Sequence, residues 1–122
     1  MKHLTVLLFL FLFANLSKSQ SNETEDKYPQ TVVIKTIEIS TNGAPASVES
    51  KMIIVNTDNQ IEKKPLSDIN YVNAGNEGIE SNALKLKIEL QKWHNLGFVV
   101  KSSNVVAPTH YCLISTYVLQ KN

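Results

Sequence analysis

Two runs of this chain are apolar on both faces at the two-residue period of a β-strand, and one run suits a helix that could cover them. Thr31–Ser40 (TVVIKTIEIS) is rich in β-branched residues, which fit a pleated surface. Val33, Ile37 and Ile39 share one of its faces, and Val32, Ile34 and Thr36 share the other. His110–Gln120 repeats the pattern, with Tyr111, Leu113, Tyr117 and Leu119 against Cys112, Ile114, Thr116 and Val118. A strand with two apolar faces belongs inside a sheet. The expected fold is therefore α+β: an antiparallel sheet of four to five strands with one main helix packed across one face.

That helix is Asn82–Leu96 (NALKLKIELQKWHNL), where two periods compete. Leu84, Leu86, Ile88 and Leu90 alternate with polar residues as in a strand. At helical spacing, Ala83, Leu86, Leu90, Trp93 and Leu96 make one stripe instead. Length and the abundance of Leu, Lys, Glu and Gln favour the helix. Ser81 or Asn82 would cap its start and Gly97 its end. Lys51–Asn56 and Gln60–Lys64 flank Thr57-Asp58-Asn59 and read as a hairpin, ended by Pro65. Phe98–Val106 and His110–Gln120 are the closing strands, joined across Ala107-Pro108-Thr109. The intervening Ser67–Ser81 reads as a long polar loop.

The start of the chain has a different character. Lys2 and His3 precede the apolar run Leu4–Ala14, which a polar tail follows. As a helix the run spans about 16 Å, half of the roughly 30 Å of a bilayer core. Ser17 and Ser19 give a small-x-small pattern, so residues 1–19 are expected to be a signal peptide cleaved after Ser19. Residues 20–30 then form a polar, disordered lead-in and 31–122 a single domain, secreted or periplasmic. About a hundred residues can bury a sufficient core without staples. Loss of Lys2 and Lys18 leaves the remainder slightly acidic, and the chain has no Arg. No cluster of cations suits nucleic-acid phosphates, and no guanidinium fork is available. One Cys excludes an internal disulfide framework.

Asn82-Ala83, the spaced Leu86 and Leu90, Gly97-Phe98-x-Val100-x-Ser102-Ser103 and Ser115-Thr116-Tyr117-x-Leu119-x-Lys121 resemble a group of small exported bacterial proteins of unknown function. Their N-terminal hairpin is similar to MIIVNTDNQIEKKPL here, so the likeness spans roughly residues 33–121. The resemblance implies a shared fold and export, and carries no catalytic residues with it. Cys112 departs from the plain strand residue expected there.

Candidate chemistry is sparse. His110-x-Cys112 puts two metal-ligating types on one strand, but zinc needs further ligands converging at about 2.0–2.3 Å, and His94 falls beside the helix stripe. Cys112, in an interior strand, lacks the base and the depressed pKa of a nucleophile. Tyr71, Asn73, Asn76, Glu77 and Glu80 supply oxygen for Ca²⁺ without the spacing of a calcium loop. Trp93 is accounted for as core. No catalytic, cofactor or metal residue is assigned, and the chain is expected not to be an enzyme. One helix leaves the second sheet face bare, and Tyr111, Leu113, Tyr117 and Leu119 are expected to form an interaction face there. The expected function is a non-catalytic binding or interaction module of the cell envelope or secreted fraction. Its partner would be an exported protein or, as a structural homodimer, a second copy, with no nucleic acid and no stable membrane span. A small hydrolase is the remaining alternative.

Overall fold

A computed structural model describes residues 29–70 and 77–122. The expected signal peptide, most of the lead-in, Tyr71, Asn73 and Asn76 lie outside the described residues. The elements run β1 (Gln30–Ile39), β2 (Lys51–Val55), β3 (Ile61–Pro65), α1 (Glu77–Asn95), β4 (Val99–Thr109) and β5 (Cys112–Lys121). All five strands join one antiparallel sheet in the order β3-β2-β1-β5-β4, and the helix packs across one face of it. The α+β expectation is met. β5 is paired on both sides, although β1 occupies the middle.

The first hairpin closes on local chemistry. Asn56 Oδ1 accepts from the backbone N–H groups of Asp58 and Gln60 at 3.0 and 2.9 Å. Asn59 takes a positive φ of 60°, a conformation that Asn tolerates better than most residues. β3 then ends on Pro65, at an outer edge where a missing donor costs no ladder bond.

The helix begins earlier than its sequence caps indicate. Glu77–Ser81 belong to α1, so the loop expected over Ser67–Ser81 is shorter. Gly78 permits this start: a Cβ there would stand 2.9 Å from the Asp68 carbonyl oxygen, so only glycine lets the first turn lie so close. Asn82 is thus interior, buried, and serves as a tie instead of a cap. Its Nδ2 donates to Ser67 O and Glu38 Oε1 at 2.8 and 2.9 Å, and its Oδ1 accepts from the Ser67 N–H at 2.8 Å. The C-terminus follows the expectation. Gly97 has φ 90°, the Phe98 N–H reaches Trp93 O at 3.1 Å, and the Gly97 N–H reaches His94 O at 2.9 Å. These two bonds make a Schellman cap. Its customary apolar contact is the edge-to-face pair of Trp93 and Phe98, with centroids 5.3 Å apart.

Below the helix lie Val32, Ile34, Met52, Ile54, Leu119 and Phe98, with Trp93 above and Leu86, Leu90 and Tyr117 packed at the margin. Leu84 and Ile88 stay 57% and 61% exposed, as a helix requires and a buried strand would not. Ala83 and Leu96, expected on the inner stripe, are also exposed. The last hairpin turns at His110–Tyr111, not across Ala107–Thr109. β4 runs on through Pro108, with a register shift between Val106 and Thr109. It tolerates that proline because its far side pairs with no strand among the described residues.

Candidate interaction surface

The register of β5 reverses the expected roles of its two faces. Val32 lies opposite Leu119, Ile34 opposite Tyr117 and Glu38 opposite Leu113. Antiparallel partners share a face, and Val32 and Ile34 are core residues beneath the helix. Leu119 is therefore buried core and Tyr117 is packed against it, so neither belongs to a bare face. Leu113 lies on the same side, and Tyr111 falls in the turn before the strand. The other face carries Cys112, Ile114, Thr116 and Val118, opposite Ile39, Ile37, Lys35 and Val33. Ile39 is buried, and Val33, Ile37, Ile114 and Val118 are half-buried.

The least covered part of the sheet is β4. Every one of its residues is exposed, including Val99, Val100, Val105 and Val106 at 45–56%. It pairs with β5 on one side and, among the described residues, with no strand on the other. The two edges of the sheet differ sharply. β3 is five residues long and carries Glu62, Lys63, Lys64 and Pro65, the devices that discourage a further strand. β4 is eleven residues long, with one charge, Lys101, and a proline only near its end. Beside it, an open apolar groove of about 420 Å³ runs between α1 and β4. Leu86, Leu90, Phe98, Val100 and Leu119 form its floor and walls, with His94 at its border.

The other candidates do not converge. His94 is in the last turn of α1, near the start of β4, whereas His110 and Cys112 sit at the far end of β5. His110 stacks edge-on against Tyr111 at 5.2 Å, and Cys112 is a half-buried free thiol. Among the described residues, no group of three or more His, Cys, Asp or Glu side chains could hold a metal ion. Glu80 is exposed on the helix.

One buried acid was not foreseen. Glu89 is 2% exposed, and both its oxygens are engaged. Lys64 Nζ donates to Oε2, Trp93 Nε1 donates to Oε1 at 2.8 Å, and Lys92 lies 3.6 Å from Oε1. Burial alone pushes this carboxyl up, but the hydrogen bonds of Lys64 and Trp93 and the charges of Lys64 and Lys92 outweigh it and hold it below its ordinary value. A fully partnered carboxylate of this kind ties the helix to β3.

Valine forms strands at any position in a sheet, so the valines of β4 do not by themselves mark an exposed edge. The signal was available in Val99-Val100-Lys101-Ser102-Ser103-Asn104-Val105-Val106, where two apolar pairs bracket a polar centre. That the strand lies at an edge is a property of topology.

No protein-family model, curated protein or solved structure matches the chain. Among the described residues, no helix is long and apolar enough to cross a membrane.

Proposed function

We propose that this protein is a non-catalytic binding module, exported by its N-terminal segment, that takes up an extended protein strand along the outer edge of β4. The observation that carries this reading is the contrast between the two sheet edges. β3 is short, charged and closed by proline, whereas β4 is long, exposed and bordered by an apolar groove. Main-chain hydrogen bonds to a sheet edge supply affinity, and neighbouring side-chain pockets supply selectivity. The N-terminal apolar run and the resemblance to exported proteins support action outside the cytoplasm.

The test is capture of proteins from the exported fraction of the source cells on the immobilised full chain. Val100→Asp and Val105→Asp should release what is captured, while Ile61→Asp on the opposite edge should retain it. Capture that ignores both β4 substitutions would place binding elsewhere and refute this reading.

A further inference from the structure

Resting on that reading, we infer that the strand received by β4 is β4 of a second copy, paired antiparallel about a two-fold axis at Ser103. The argument is one of register. Against β5, Val100 pairs with Leu119 and Ser102 with Val118, so Lys101 is an extra residue bulged out of the ladder. Counting ladder positions with that bulge, Val100, Ser103 and Val105 lie on the helix side of the sheet. Val99, Ser102, Asn104 and Val106 lie on the other.

A two-fold axis at Ser103 sets Ser103 opposite the partner's Ser103 and Ser102 opposite the partner's Asn104. Beyond the bulge, Val100 meets the partner's Val105, and Val99 meets the partner's Val106. In every pair both residues lie on the same face, as antiparallel partners must. All four exposed valines of each copy find a valine. Shifting the axis to Asn104 would put Val105 opposite Ser103 and Val106 opposite Ser102. Shifting it to Ser102 would put Val100 opposite Ser103 and Val99 opposite Asn104. Without the bulge, Lys101 would oppose Val105 and the match would be lost. The irregularity in β4 therefore makes the strand complementary to itself.

The flanks agree with this register. Pro108 and the second register shift lie beyond Val106, so the edge becomes irregular where the valine pairs end. β4 carries no acidic residue, and the two Lys101 side chains fall on opposite sides of the axis. Val100 lines the apolar groove, so the partner's Val105 arrives at the groove's mouth. The contact is isologous and closes at two copies. Both helices then lie on the same side of one continuous sheet.

Light scattering on the full chain at about 100 μM should give twice the mass of one chain, falling on dilution. Ser103→Lys, which sets like charges opposite each other at the axis, should give a folded monomer by circular dichroism. Ile61→Lys should leave the dimer intact. In a Cys112→Ser background, Ser103→Cys should form a disulfide-linked dimer under mild oxidant, and Lys63→Cys should not. A dimer indifferent to Ser103→Lys, or one without the Ser103→Cys cross-link, overturns the pairing. If the chain is monomeric yet captures an exported protein through Val100 and Val105, the pairing falls and the binding-module reading stands. If it is monomeric and β4 captures nothing, both fall.

Discussion

Glu89 anchors the inner face of the helix to the edge strand β3 through Lys64, and to the core through the Trp93 indole. The Glu89 carboxyl is held below its ordinary value of 4.5. A group depressed on folding adds stability above its unfolded pKa and loses it as pH falls through the folded one. Lys64 is raised above 10.5, chiefly by its hydrogen bond to Glu89, so its contribution is complete below that value and lost as pH rises past the folded pKa. Urea midpoints should therefore be insensitive to this pair between about pH 5 and 10 and fall outside that window. Glu89→Gln should flatten the acid limb and cost about 1–3 kcal/mol, because Lys64 is partly exposed and can recover water. An unchanged acid limb would exclude Glu89 from the transition. Asn82 makes a second buried tie, and Asn82→Ala should cost about 2 kcal/mol, because the Ser67 N–H and carbonyl lose their partners.

At the scale of elements, the helix is where two sequence periods competed. The outcome follows from what touches the core. Leu86 and Leu90 pack against it, while Leu84 and Ile88 point to solvent. Chemical denaturation should show Leu86→Ala or Leu90→Ala costing about 1–3 kcal/mol, near the low end for core leucines because both are half-buried. Leu84→Ala and Ile88→Ala should stay within about 0.5 kcal/mol. Equal losses at all four positions would contradict a helix with one buried face. Gly97→Ala forces a side chain into positive φ at the Schellman cap and should cost about 1 kcal/mol. The strands, the first hairpin and this cap were legible because each rests on local chemistry: β-branched runs, an Asn-rich turn, a Gly after the last helical turn. The helix start was not legible, because Gly78 is explained by an approach to Asp68 that no local pattern encodes. Glu89 was equally hidden, since its partner lies twenty-five residues away on β3.

At the scale of the molecule, topology decided what local patterns left open. The sequence showed that β5 has two apolar faces, but only its register with β1 tells which one the helix covers. The same topology sets the start of β1 beside the end of β5, with Gln30 opposite Lys121. The centre of the sheet thus joins the two strands furthest apart in sequence, and each half of the chain holds one wall of the core. Val32, Ile34, Met52 and Ile54 come from the first half; Trp93, Phe98 and Leu119 come from the second. Loop closure over such a separation must precede the contacts that stabilise it, so neither half should fold alone. Removing residues 117–122 deletes Leu119 and Tyr117 from the core and strips the first half of β1, Gln30–Ile34, of its β5 partners. The shortened chain should lose its near-ultraviolet Trp93 signal and its cooperative urea transition together. Removing only Asn122, which lies beyond the last strand, should leave both unchanged. If the shortened chain kept a cooperative transition, β1–β3 with the helix would be an autonomous unit, and the central β1–β5 pairing would not be what closes the fold.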